Sequence, residues 1–206
     1  MSEAREEILR RIAAAKVGVS EVGIPRSYRT TGRLGSERRV ALFCERVGEY
    51  RAVVRRTHPE ELGQAIVDVG ADRLAVPRGV PAAWRPAALE LVEDEGLTPH
   101  QLDALDGVLT GCTVGIAETG SIVLTGGARE GRRALTLVPD LHICVVDEAQ
   151  IVELVPEAFS ALATVARRPI TFISGPSATS DIELDRVEGV HGPRRLVVLV
   201  AGAGAS

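Results

Sequence analysis

Three polar loops next to apolar runs carry the residues of this chain that could do chemistry. They are residues 117–121 (AETGS), 174–183 (SGPSATSDIE) and 189–193 (GVHGP). In open α/β sheets, ligands bind beyond the carboxyl ends of the strands. We therefore expect these loops to meet at that edge of a sheet and to form a ligand site there.

The first loop offers a carboxylate. Glu118 is flanked by small and apolar residues, and in such desolvated surroundings a carboxylate can serve as nucleophile, base or acid. Thr119 and Gly120 are small enough to let a substrate approach. The alternative is that Glu118 accepts hydrogen bonds from turn amides and has a structural role only.

The second loop is rich in hydrogen-bond donors. Ser174, Ser177 and Thr179 supply hydroxyls and Gly175 supplies a backbone amide, a set that suits binding of a phosphate or carboxylate. The loop lacks the GK[ST] of a P-loop, so nucleotide hydrolysis of that type is not supported. Serine and threonine turns before a helix would explain the same composition.

The third loop contributes His191, a candidate proton shuttle that Asp181 could orient. A histidine bonded to loop backbone is the alternative. A metal site from Glu118, Asp181 and His191 is disfavoured, because no ligand spacing such as HExxH or CxxC is present. His142, inside an apolar strand, is interpreted as a satisfied core histidine.

The composition excludes several classes of protein. Aromatic residues make up 3% of the chain, which argues against a stacking platform for nucleobases, and the net charge of −4 argues against a protein that binds mainly phosphate backbone. The longest apolar run is too short to span a bilayer, and no secretory signal is present. Three widely spaced cysteines form no CxxC motif, so we expect small buried thiols in a reducing, cytoplasmic compartment.

Charge is distributed unevenly along the chain. Residues 1–57 carry a net +6 and residues 58–206 a net −10. A helix is predicted over residues 2–15, with Ile8, Leu9 and Ile12 on one stripe, followed by an aperiodic loop at 18–36. We predict a division into an N-terminal arm, 1–36, and a single α/β domain, 37–206. Our hypothesis is that the basic arm lies against an acidic surface, either of its own chain or of a partner. A solvated helix and tether is the alternative.

The elements after residue 36 alternate between helical and strand patterns. Helices are predicted at 37–48, 58–70, 83–91 and 156–166, and strands at 50–55, 73–76, 141–146, 170–173 and 195–200. Two further strands at 108–124 would be joined by a tight turn at residues 118–120, where Gly120 supplies a positive φ. This alternation predicts a parallel sheet covered by helices on both faces.

Three segments together resemble a known family. GIAETGSIVL (115–124), LTLVPDLHICVV (135–146) and ITFISGPSATSDIELDRVEGVHGPRRLVVLV (170–200) are similar in order and spacing to the lactate utilization protein C family, the LUD-domain proteins. The resemblance covers about residues 40–200. It implies an α/β, Rossmann-like three-layer sandwich with a mostly parallel sheet, related to the NagB/RpiA/CoA-transferase-like group.

The resemblance also implies a function. The chain would be a subunit of a system that oxidises L-lactate to pyruvate, with no redox cofactor of its own and iron–sulfur clusters on partner subunits. The alternative is a stand-alone transferase or isomerase that acts on a CoA ester or sugar phosphate, because in CoA transferases a Glu on a comparable loop is the nucleophile and Glu118 is the corresponding candidate. A third possibility is a purely structural subunit.

Overall fold

The computed structural model describes residues 3–16, 24–175 and 192–202. The helices are α1 (Glu3–Ala15), α2 (Ser36–Glu49), α3 (Leu62–Val67), α4 (Pro99–Asp103) and α5 (Val155–Leu162). The strands are β1 (Val53–Thr57), β2 (Arg73–Val76), β3 (Glu90–Glu93), β4 (Gly107–Thr110), β5 (Val114–Ile116), β6 (Ser121–Leu124), β7 (Leu141–Asp147), β8 (Ile151–Val152), β9 (Thr171–Ile173) and β10 (Arg195–Ala201).

Six strands form a parallel sheet in the order β1-β10-β7-β4-β2-β3. The two longest, β7 and β10, are paired in register from Leu141 with Arg195 to Asp147 with Ala201. Their near-continuous apolar runs are typical of strands covered on both faces. On one face α2 packs Phe43 and Val47, and on the other α3 packs Leu62 and Ile66. The α/β class and the Rossmann-like three-layer sandwich are thereby confirmed.

A smaller sheet of four short strands, in the order β8-β5-β6-β9, stands beside the first. Strands β5 and β6 form the predicted antiparallel hairpin, and α5 packs Ala158 and Leu162 against it. The sequence predicted the hairpin but not the separate sheet, because strands of two to four residues carry too little periodicity to reveal their distant partners.

One predicted helix is wrong. Residues 83–91 form a 3-10 turn at Ala82–Trp84 followed by an extended segment that leads into β3. Pro86 disfavours the helical conformation at the residue before it. Leu91 and Val92 instead extend the parallel sheet by pairing with β2. Strand β9 was predicted to be buried, but it lies at a sheet edge and Phe172 is 45% exposed.

The N-terminal helix α1 packs none of its residues in the core: Ile8, Leu9 and Ile12 are all about half exposed. None of the helices in the described ranges is long and apolar enough to cross a membrane. The division into an arm, 1–36, and a domain, 37–206, stays a prediction.

Candidate functional site

The AETG turn is held by main-chain hydrogen bonds to the end of β8. Ala117 N donates to Val152 O at 2.9 Å, and Glu118 N donates to Glu153 O at 3.0 Å. Gly120 adopts φ +59°, and a Cβ there would lie 2.6 Å from the carbonyl carbon of Arg46 in α2. The glycine is therefore required both by the turn and by the close approach of the helix backbone.

The sequence predicted desolvated surroundings for the carboxylate of Glu118, but the structure places it at the surface. Its side chain is 47% exposed and forms an ion pair with Arg29, with Nη2 and Oε1 at 2.6 Å. The apolar neighbours on either side point into the sheet, whereas the turn places Glu118 at the surface. A half-exposed carboxylate with one displaceable cation is accessible to a ligand from solvent.

A chain of hydroxyls joins the turn to the loop after β9. Thr119 Oγ1 donates to Ser121 Oγ at 2.8 Å, and Ser121 Oγ lies 2.7 Å from Ser174 Oγ. The structure therefore brings Glu118, Thr119 and Ser174 together, as the sequence predicted. Gly175 adopts φ +77° against Tyr50, so that residue also has a packing reason to be glycine.

The remaining predicted site residues, His191, Asp181, Ser177 and Thr179, lie outside the described residues. Two of the three residues considered for a metal site, Asp181 and His191, are therefore also outside the described residues, whereas Glu118 is described. Within residues 3–16, 24–175 and 192–202, no group of three or more His, Cys, Asp and Glu side chains is arranged to hold a metal ion.

The sequence predicted that these loops lie at the carboxyl ends of the parallel strands, but the structure places the AETG turn elsewhere. Gly120 touches the end of α2 and Gly175 touches Tyr50, both directly before β1 begins. These loops therefore meet at the amino end of the parallel sheet. The reason is the hairpin: the chain leaves β4 at its carboxyl end, and β5 runs back across the sheet before the turn.

The arm residues before α2 dock on two carboxylates beside this turn. Glu153, only 5% exposed, accepts hydrogen bonds from Arg33 N at 2.5 Å and Leu34 N at 2.6 Å. Glu157 accepts from Gly32 N at 3.0 Å, and this bond and those from two further amides lower the pKa of Glu157. Arg29 and residues 32–34 of the arm thus contact acidic side chains of their own chain.

Sequence reasoning singled out neither Glu153 nor Glu157. Pro156 and Glu157 in the first turn of α5 indicate a helix start, and Glu157 Oε2 does accept from Leu154 N at 2.9 Å. That signal could have found Glu157 as a cap. It could not have found its contact with Gly32, because the donor is a backbone amide 125 residues away.

The opposite end of the hairpin carries three concave surfaces formed by described residues. A cavity of about 500 Å³ is lined by residues from 124–136 and 168–171, and two of about 310 Å³ adjoin it. Arg132 there binds both carboxylate oxygens of Asp94 and holds the pKa of Asp94 below its ordinary value. Arg129 lies over the Trp84 ring at 5.7 Å.

Glu130 organises that end and is almost fully buried, with 4% exposed. Its carboxylate accepts from Thr125 N at 2.5 Å, Gly127 N at 2.9 Å and Thr113 Oγ1 at 2.5 Å. Burial with several donors makes Glu130 a clamp that closes the loop after β6.

A family model described as the LUD domain matches residues 1–201. The chain belongs to the LUD domain family. The LUD-domain protein from Deinococcus radiodurans called lactate utilization protein C is 46% identical over 206 residues, 98% of this chain and 97% of that one. A Bacillus pumilus lactate utilization protein C is 40% identical over 41% of this chain and 38% of that one.

The similarity extends to a protein called YkgG from Escherichia coli, 29% identical over 76% of this chain and 72% of that protein. Among solved structures, a DUF162 family protein from Deinococcus radiodurans superposes with a TM-score of 0.74. It is 42% identical and covers 82% of this LUD-domain chain and 100% of its own.

Proposed function

We propose that this protein is a cytoplasmic subunit of a system that oxidises L-lactate to pyruvate together with iron–sulfur partner proteins. The observation that carries the proposal is the 46% identity to a lactate utilization protein C across 98% of the chain. The oxidation removes two electrons and two protons from lactate. Clusters on the partners would accept the electrons, and this chain would contribute no redox cofactor.

The AETG turn is the proposed site for the small anion. Arg29 lies within 2.6 Å of Glu118 and can pair with a substrate carboxylate in place of it. That exchange would leave Glu118 free to accept the proton of the substrate hydroxyl. An α-hydroxy acid carries both of these groups on neighbouring carbons, so it fits a cation and a base that lie side by side.

The predicted residues take the remaining roles in this proposal. Thr119 and Ser174, joined through the hydroxyl of Ser121, would donate to the anion together with Gly120, Gly175, Ser177 and Thr179. His191, oriented by Asp181, would carry the proton away from Glu118.

The test uses the complex of this chain with its iron–sulfur partners and follows lactate-dependent reduction of a dye. Glu118→Gln should lower the rate by about a hundredfold, the usual contribution of a general base, with the complex intact. Glu95→Gln is the matched control, because Glu95 is also exposed and paired with an arginine, Arg78; it should leave the rate unchanged. Full activity of Glu118→Gln would remove the catalytic role.

A second function is favoured by the exposure of Glu118 on a turn of small residues. The chain could act alone as a transferase or isomerase on a CoA ester or sugar phosphate, with Glu118 as the nucleophile. The isolated chain would then turn over an acyl-CoA or sugar phosphate, and Glu118→Gln would abolish that turnover. A complex that needs the chain for assembly while every site variant stays active would indicate a structural subunit.

A further inference from the structure

Two cysteines meet where the carboxyl end of β4 lies beside the middle of β7. Cys144 pairs in register with Thr110, the last residue of β4, and Cys112 follows two residues later. Both are buried, with 0% and 2% exposed, in the same apolar cluster. From the sequence they were predicted to be separate small hydrophobes, because they lie 32 positions apart in the chain.

The two thiols lie next to each other: Cys144 Sγ lies 3.7 Å from the carbonyl oxygen of Gly111, the residue directly before Cys112, and each thiol shifts the pKa of the other. Cys112 Sγ lies 3.8 Å from Gln150 Oε1. Cys112 lines one of the cavities of about 310 Å³. A small solute in that cavity therefore lies against the Cys112 side chain.

A buried histidine lies beside the pair. His142 is 0% exposed, and its Nε2 lies 2.7 Å from Thr110 Oγ1. Its Nδ1 has no hydrogen-bond partner in the part of the chain that the structure describes. The histidine was expected to be a satisfied core residue, but only one of its ring nitrogens is paired there.

The two thiols differ in acidity. Cys112, together with the neighbouring His142, lowers the pKa of Cys144 to about 6. Cys144 and burial raise the pKa of Cys112. An isolated buried thiol behaves in the opposite way to Cys144, since burial in apolar surroundings disfavours the thiolate.

We propose that Cys112 and Cys144 form a dithiol–disulfide site that a hydroperoxide oxidises. The sulfur of one cysteine attacks a peroxide oxygen, an S–O bond forms, the O–O bond breaks, and the hydroxide that leaves takes the proton lost by that thiol. The sulfur of the other cysteine then attacks the sulfenic sulfur. The S–S bond forms as the S–O bond breaks, and the second hydroxide leaves as water with the proton of the second thiol. Two thiols and one hydrogen peroxide yield one disulfide and two waters.

The experiment treats the reduced, folded, full-length protein with hydrogen peroxide and counts thiols after quenching and denaturation. The chain has three cysteines, so the count should fall from three to one. Peptide mapping should find Cys112 linked to Cys144, and a dithiol reductant should restore all three thiols.

Cys44 on α2 provides the matched control, because burial raises the pKa of its thiol and it lies outside the pair. Cys44→Ser should form the same disulfide at the same rate. Cys112→Ser and Cys144→Ser should form no internal disulfide, with far-ultraviolet circular dichroism to verify folding.

Any one of three results on the unsubstituted protein would overturn the proposal. The first is that all three thiols remain after a peroxide treatment that oxidises glutathione in the same tube. The second is a mapped disulfide that includes Cys44, and the third is a disulfide that forms only after urea has unfolded the chain.

Discussion

The two ends of the β5–β6 hairpin each carry a glutamate, and the two carboxylates have opposite environments. Glu118 at the turn is 47% exposed and pairs with a single guanidinium. Glu130 at the other end is 4% exposed and is held by two amides and a hydroxyl. A carboxylate saturated with internal donors holds a loop in place, whereas one with a displaceable partner can exchange it for a ligand.

Two of the cavities among the described residues are lined by Glu130, at the carboxyl end of the parallel sheet, while the AETG turn lies at the amino end. The presence of a cavity by itself would favour the surroundings of Glu130 as the ligand site. The number of internal hydrogen bonds to each carboxylate favours Glu118 instead.

The largest effect should come from removing the clamp. Glu130→Ala leaves the buried amides of Thr125 and Gly127 without their acceptor, and each such loss costs about 1–3 kcal/mol. We expect the free energy of unfolding in urea to fall by about 3 kcal/mol. Glu118→Ala is the matched variant and should change it by less than about 1 kcal/mol. Equal losses in the two variants would contradict the distinction between the two carboxylates.

Glycines at the two ends provide a second, smaller contrast. Gly120 and Gly126 have similar positive φ, +59° and +66°, so alanine strains both by about 1 kcal/mol. At Gly120 the new Cβ also meets the backbone of α2, whereas at Gly126 the nearest atom is 3.6 Å away. We expect Gly120→Ala to cost about 2 kcal/mol or more and Gly126→Ala about 1 kcal/mol in thermal or urea unfolding. A larger cost at Gly126 would show that the turn does not press against α2.

The arm beside the turn should respond to pH. Hydrogen bonds from Gly32, Leu154 and Glu153 amides lower the pKa of Glu157 below 4.5, so its contribution is present above pH 4.5 and is lost as the pH falls through the lowered value. We expect Glu157→Gln to destabilise the protein by about 1 kcal/mol at neutral pH, since the partly exposed group is screened.

The difference from the unsubstituted protein should shrink below pH 4.5, as measured by urea unfolding at successive pH values. Glu60→Gln, on the exposed Pro59–Glu61 turn, is the control and should show no such dependence. A gap between Glu157→Gln and the unsubstituted protein that persists in acid would rule out the carboxylate as its source.

The parts of the fold that sequence predicted are those with local causes. Leu141–Asp147 and Arg195–Ala201 are apolar over most of their length, and each formed a buried strand. Gly120 marked a tight turn because its conformation is one that other residues rarely adopt. Residues 83–91 were misassigned because the short apolar segment that follows Pro86 fits a short strand as well as a helix.

The parts of the site that sequence missed depend on distant partners. Arg29 and Glu118 are 89 positions apart, and no spacing rule connects them. Two donors to Glu153 are the backbone amides of Arg33 and Leu34. Since every residue except proline has such an amide, this contact leaves no trace in residue type. The expected burial of Glu118 failed for a related reason: apolar neighbours in sequence were taken as neighbours in space.

The smallest effect on stability should come from substitution of Arg29. The same substitution allows the accessibility of the two carboxylates to be compared directly. The ion pair of Arg29 with Glu118 is about half exposed on both sides, and its second contact, with Glu153, is long at 3.5 Å, so Arg29→Ala should change the free energy of unfolding by about 0.5 kcal/mol or less. The same change removes the partner that shields Glu118. Carbodiimide coupling to an amine, mapped by mass spectrometry, should therefore label Glu118 faster in Arg29→Ala than in the unsubstituted protein. Glu130 should resist labelling in both until urea unfolds them, because its donors and its burial are unaffected.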